Sequence, residues 1–231
     1  MSKHHVDSYQ CPNCGHNQDI TIWESVNVQL NPETKEKIVN NDFFTQTCSK
    51  CNVVVQVVYS FLYHDMEEQL MIYMIAEKDP DAIKDQIENM KTIGEILNSD
   101  KFDKDLNFGT LGDNYRNRIV LGNNSLLEKI MISKNKLDDR IIEIMKVLYF
   151  SQLSQQGDEE KISELLFHYS EEDNKNTFIA FTEDNGSAAL NFDNDLYASL
   201  EEKILPALIE LTPKGYAQID FDWALDALSK V

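Results

Sequence analysis

No stretch of this chain is apolar for long enough to span a bilayer, which takes about 20 residues. The longest uncharged apolar segment, Asn52 to Tyr63, is interrupted by Gln56 and Ser60 and is too short. The N-terminus, Met1-Ser2-Lys3-His4-His5-Val6-Asp7, has no hydrophobic region of the signal-peptide type, so the expected location is cytoplasmic. Basic residues are scarce: 21 lysines and arginines face 40 acids, a net charge of −19. Phosphate neutralisation drives non-specific nucleic-acid affinity, so this deficit argues against DNA or RNA as the main partner. There is no P-loop, no glycine-rich dinucleotide motif, no Ser-His-Asp order, no internal repeat and no low-complexity tract. Cysteine is sparse as well, and its placement is informative.

The 4 cysteines stand as two matched pairs, Cys11-Pro12-Asn13-Cys14-Gly15 and Cys48-Ser49-Lys50-Cys51. Two C-x-x-C knuckles can place four thiolates around one tetrahedral zinc. A redox dithiol of the thioredoxin type needs its first cysteine at a helix N-terminus, where the dipole lowers the thiol pKa. Here Gly15-His16-Asn17-Gln18-Asp19 leads into a strand, and no hydrophobic strand precedes Cys11. Gly15 suits a tight knuckle turn instead. The expected ligands are therefore Cys11, Cys14, Cys48 and Cys51, holding one structural Zn2+. The 33 residues between the pairs exceed the spacing of a plain ribbon, so a strand and a short helix are expected in between. Such a site is closed, and its default role is to hold the sheet together.

Along the chain, Ile20-Thr21-Ile22-Trp23 and Val26-Asn27-Val28-Gln29-Leu30 alternate as strands do. Asn31-Pro32-Glu33 reads as a helix start, with closure at Asn40-Asn41. Strands are expected at Phe43 to Thr47, Val53 to Tyr63 and Leu70 to Ala76, and an amphipathic helix at Asp81 to Asn98. Ser99 to Asn117 reads as a loop or linker. The second half opens with a strand, Arg118 to Leu121, and a helix begun at Asn124 or Ser125, where Ser125 and Glu128 have capping-box spacing. A helix follows from Leu137 to Gln155, then strands at Ile162 to Tyr169, Thr177 to Phe181 and Ser187 to Phe192. Asn185-Gly186 marks a hairpin between the last two. A helix from Asp195 to Leu211 holds Pro206, and Tyr216 to Leu228 starts extended and ends helical around Trp223.

Other chemistry is weaker. His4, His5 and His16 are not needed as ligands and read as surface histidines. Tyr63-His64-Asp65-Met66-Glu67-Glu68 could hold a second metal or do acid–base work, though a turn with solvated carboxylates explains it too. Asp138-Asp139-Arg140 stands at a helix start, where acids are stabilised by the dipole. Tyr59, Phe61 and Tyr63 alternate on one strand without interleaved bases, which points to packing rather than base stacking. From Asp158 to Glu202 there are 13 acids and 2 lysines, a net of −11. That excess reads as a solvated acidic surface or as a docking face for a basic partner.

With Trp23, Asn31-Pro32-Glu33, Lys35, Phe43-Phe44 and Leu62-Tyr63-His64-Asp65-Met66-Glu67 around the two knuckles, the chain resembles the CpXC protein family. Met71-Ile72-Tyr73, Arg118-Ile119-Val120, Leu127-Glu128-Lys129-Ile130 and Leu137-Asp138-Asp139-Arg140 add to the likeness. The resemblance implies the four cysteines as a metal set and a ribbon-like fold, and supplies no activity. Ser49 and Asn52 stand where ribbons often carry proline and glycine.

The expected architecture is α+β: an N-terminal four-cysteine zinc ribbon extended into an antiparallel sheet, followed by a helical plus antiparallel-β domain. The expected boundaries are 1–98, a linker over 99–117, and an acidic domain over 118–231. The leading functional expectation is a zinc-stabilised, non-enzymatic protein–protein interaction module with an acidic face. One alternative is a metal-dependent hydrolase using His64, Asp65 and Glu67 with Glu68. Another is a nucleic-acid-associated ribbon using Lys35, Lys37 and Lys50, or an acidic nucleic-acid mimic.

Overall fold

A computed structural model describes residues 2–97, 115–155 and 162–231. The expected linker lies almost wholly outside them. The chain divides into two compact units, Met1–Asn123 and Asn124–Val231.

The first unit is built on a five-stranded sheet in the order β1-β2-β5-β6-β7. Strand β1 (Lys3–Gln10) pairs antiparallel with β2 (Asn17–Asn27), which merges the two runs read separately in the sequence. β1 was not foreseen, because seven of its eight residues are exposed and it has no apolar face to betray it. Helix α1 (Pro32–Val39) starts with proline in its first turn and buries Ile38. It is followed by a small hairpin of β3 (Thr45–Thr47) and β4 (Val54–Gln56). β5 (Phe61–Asp65) and β6 (Leu70–Ile75) form the central antiparallel pair.

The sheet is mixed rather than wholly antiparallel. β2 runs parallel to β5, with Asn27 beside His64, and β6 runs parallel to β7 (Arg116–Leu121). Parallel neighbours need a crossover connection. α1 and the β3–β4 hairpin occupy the first crossover, and α2 (Pro80–Leu97) lies in the second. The strand expected to open the second domain is thus the edge strand of the first unit. The run from Val53 to Tyr63 breaks between β4 and β5, where Val57 N–H donates to the Phe44 carbonyl at 2.8 Å. Tyr59 falls in that break and packs with Phe43, Phe44 and Phe61, ring centroids 5.4–6.4 Å away. Phe61 and Tyr63 are fully buried, so this aromatic run is core.

The second unit combines helices α3 (Gly122–Lys134), α4 (Asp139–Gln155), α5 (Asn194–Leu211) and α6 (Phe221–Leu228) with an antiparallel sheet. That sheet is ordered β10-β9-β8, from β8 (Ile162–Ser170), β9 (Lys175–Thr182) and β10 (Ser187–Asn191). Its core gathers Ile141, Ile144 and Met145 of α4 with Phe167, Phe178 and Leu208. The Asn185-Gly186 hairpin forms as expected, with Asn185 at φ 63° and Thr182 N–H donating to the Gly186 carbonyl. α5 continues through Pro206, capped by Asp193, whose carboxylate accepts from the N–H groups of Asp195 and Leu196. α3 begins at Gly122, whose φ of 76° turns the chain straight out of β7 into the helix. Ser125 therefore lies inside α3, and Glu128 is buried rather than serving a capping box.

Candidate metal centre

Each cysteine pair sits in the turn of an antiparallel hairpin, the first between β1 and β2, the second between β3 and β4. The two turns repeat the same backbone solution. Gly15 N–H donates to the Cys11 carbonyl at 2.9 Å, and Asn52 N–H donates to the Cys48 carbonyl at 2.9 Å. Cys11 N–H reaches the His16 carbonyl and Cys48 N–H the Val53 carbonyl, closing each loop. The fifth residue of each turn is left-handed, Gly15 at φ 68° and Asn52 at φ 57°. Asparagine tolerates that region better than other residues with a Cβ, which is why the second knuckle manages without glycine.

The four Sγ atoms lie within 4.8 Å of one another, with Cys11–Cys51 and Cys14–Cys48 both at 3.7 Å. A tetrahedron with zinc–sulfur bonds of about 2.3 Å has edges of about 3.8 Å, so these thiols fit a Zn2+-sized ion. Among the described residues this is the one group of three or more Cys, His, Asp or Glu side chains arranged to hold a metal. Without metal, the thiols differ in acidity. The Asn13 amide, donating to Cys51 Sγ at 3.5 Å, and the Val53 N–H bring Cys51 down to about 6. Cys48 is lowered by the N–H groups of Cys51 and Lys50. At Cys14 the His16 N–H also lowers the pKa, but burial and the three neighbouring sulfurs outweigh it and push it up to about 12.

The knuckles are also tied by side chains that the sequence reading passed over. The Gln18 carbonyl oxygen accepts from Ser49 N–H at 2.9 Å, and its amide donates to the Thr47 carbonyl at 3.1 Å. His16 Nε2 stands 3.1 Å from Ser49 Oγ, so Ser49 and His16 clasp the two turns together. No pattern in the chain announces these contacts, because they join residues 29 to 33 positions apart.

The sequence pattern of the family described as CpXC protein matches residues 9–146. The chain belongs to that family. The match takes in both knuckles, the whole mixed sheet from β2 to β7, and the first half of α4. No curated protein and no solved structure matches the chain. Among the described residues no helix of this CpXC protein is long and apolar enough to cross a membrane.

The second candidate cluster takes a different form. Asp65 is 1% exposed, and its oxygens accept from Lys35 Nζ at 2.6 Å, Gln29 Nε2 at 2.7 Å and Tyr63 Oη at 3.2 Å. Burial pushes its pKa up, but the Lys35, Glu68 N–H and Gln29 bonds prevail and hold it below the usual carboxylate range. Glu67 is exposed, and His64, Asp65 and Glu67 do not form a ligand set. Lys35, expected in a positive patch with Lys37 and Lys50, is spent on Asp65.

His64 is buried beside Asn27, whose Oδ1 accepts from the N–H groups of Gln29 and Leu30. That fixes Asn27 Nδ2 toward His64 Nδ1, 3.4 Å away, so the ring is the Nε2–H tautomer facing Tyr115 Oη at 3.3 Å. Burial lowers the His64 pKa. The folded state then holds the ring neutral while the unfolded chain takes the proton more readily. Its contribution is present above the unfolded value of about 6.5 and is lost as pH falls through the folded value. Urea unfolding of the first unit is expected to weaken more between pH 7.5 and 5 in the native sequence than in His64→Gln. Equal slopes in the two proteins would remove His64 as the source.

Proposed function

We propose that this CpXC protein is a zinc-stabilised, non-enzymatic module that docks another protein, working in a reducing cytoplasmic compartment where its thiols stay available to metal. The observation that carries this reading is the four-sulfur set itself. Four thiols within 4.8 Å of one another can fill all four positions of a tetrahedral metal, which would leave no open position for water or substrate, so the metal's work is to join two hairpins. Cys11, Cys14, Cys48 and Cys51 are the ligands. The charge supports a basic partner. Of the acids between Asp158 and Glu202, Asp193 caps α5 and Glu171 pairs with Lys134, while Glu172, Glu183 and Glu202 are exposed. The test is native mass spectrometry with metal analysis on the full chain, followed by cross-linking of the co-purifying complex. One zinc per chain and cross-links from partner lysines onto 158–202 are expected. More than one zinc, or a small molecule turned over by the purified chain, would sink the reading.

A further inference from the structure

Within the first unit, β2, α1 and the segment entering β3 enclose a groove of 520 Å³. This lies within the usual size range of ligand pockets. Ile20 and Phe43, both buried, are among its lining residues. One wall is β2, where Asp19, Thr21 and Trp23 are alternate residues and so share a face, spread over about 13 Å of strand. The far wall adds Glu33, Lys37 and Asp42. The lining thus includes Trp23, whose indole already has the His4 ring against it with centroids 4.7 Å apart, together with Phe43 and three carboxylate residues against one lysine.

The backbone that carries Asp42 is fixed by hydrogen bonds. α1 ends in a left-handed Asn41, and the N–H groups of Asp42 and Phe43 both donate to the Lys37 carbonyl, which folds the chain back over the helix end. That fold brings the exposed Asp42 and the buried Phe43 into the lining. Among the described residues the Asp19 and Asp42 carboxylates have no hydrogen-bond or ion-pair partner, whereas Asp65 in the same unit has four. An aromatic face flanked by uncommitted carboxylates recognises a flat cation, by stacking on the ring and by charge-assisted hydrogen bonds at its edge.

We infer that this groove takes a short extended segment of a partner protein through arginine side chains, one stacked along Trp23 and held by Asp19 and Asp42. The inference rests on the reading of the protein as an interaction module and names where and how a basic partner is grasped. The groove lies wholly within the residues the family pattern matches, outside the acidic stretch of the second unit.

The probe is a fluorescein-labelled, end-blocked hexapeptide with two arginines separated by one serine, and a twin with glutamates in their place. It is titrated into zinc-loaded full-length protein carrying Trp223→Phe, which leaves Trp23 as the sole tryptophan. Saturable binding of the arginine peptide with a change in Trp23 emission is expected, with none for the glutamate twin. Asp19→Asn with Asp42→Asn is expected to weaken binding about tenfold, and Lys37→Ala to tighten it about threefold. Glu172→Gln with Glu183→Gln, which removes the same charge from the other unit, is expected to change nothing. Equal weakening by both pairs would reduce the effect to net charge and overturn the proposal. So would a silent Trp23. A partner cross-linked only to 158–202, with no response from Trp23, overturns the groove while leaving the interaction module standing.

Discussion

Replacing Cys48 and Cys51 together by serine is expected to unfold the first unit. β3 and β4 are three residues each, too short to persist as an isolated hairpin, and both run directly into the second knuckle. β1 packs along β2 alone and is exposed along nearly its whole length. Neither hairpin buries enough apolar surface to hold its own turn. Structural zinc contributes about 10–16 kcal/mol in small zinc domains, as much as the whole stability of an ordinary domain. If the four thiols hold zinc as proposed, removing two of them, or treatment with a strong chelator, is therefore expected to abolish the cooperative transition of the first unit. The core of Ile141, Ile144, Phe167 and Phe178 belongs to the second unit and has no ligand in it. Amide exchange mapped along the chain separates the two: protection is expected to collapse in β1 to β4 and persist in α4, β8 and β9. Unchanged protection around residues 45–56 after chelation would show that the knuckles need no metal.

The second large effect is expected from Lys146→Met. Lys146 is 5% exposed and lies 2.6 Å from Glu128 and 3.2 Å from Glu143. Lys129 pairs with Glu143 at 2.8 Å and with Asp139 at 3.3 Å, so three carboxylates and two ammonium groups are interleaved between α3 and α4. Glu128 also accepts from the Phe167 N–H of β8 at 2.5 Å, which ties the helices to the sheet. Burial raises the Glu128 pKa, against the pull of Lys146. At Lys129 burial acts the other way, but Glu143, Asp139 and Glu128 prevail and raise its pKa. Removing one partner from a buried pair leaves a charge without compensation, and costs about 3–5 kcal/mol. The comparison is Lys134→Met, which breaks the exposed pair with Glu171 and is expected to cost far less, because solvent screens that pair. Denaturant melts of the two variants decide it. A Lys146→Met loss no larger than that of Lys134→Met would mean that the network is solvated or replaceable. Adding Glu128→Gln to Lys146→Met is expected to recover part of the loss, because the neutral amide can still accept from Phe167.

Much of this was legible one segment at a time. Pro32 at the start of α1, the Asn185-Gly186 hairpin and the periodicity of α2 and α4 are local signals, and local chemistry decided them. The two C-x-x-C pairs predicted a four-thiol set because knuckle turns are themselves local, and only the meeting of the two pairs is long-range. Glu128 misled for the same reason. Its spacing from Ser125 matches a cap, but the chain had already become helical at Gly122, and nothing near Glu128 in sequence announces Lys146 eighteen residues on.

By itself the sequence determined the α+β class, the set of four paired cysteines, the tight turn at Gly15, and the acidic balance. Each follows from residue type and short spacing. Tertiary structure alone decided that β2 lies parallel to β5, and that Asp65 is locked to Lys35 rather than open to a metal. It also decided that three carboxylates and two lysines share one buried interior, and that Trp23 and Asp42 line one groove. Those outcomes depend on which surfaces meet after long crossovers, and burial free energy, which acts on area rather than on neighbours in the chain, selects among them.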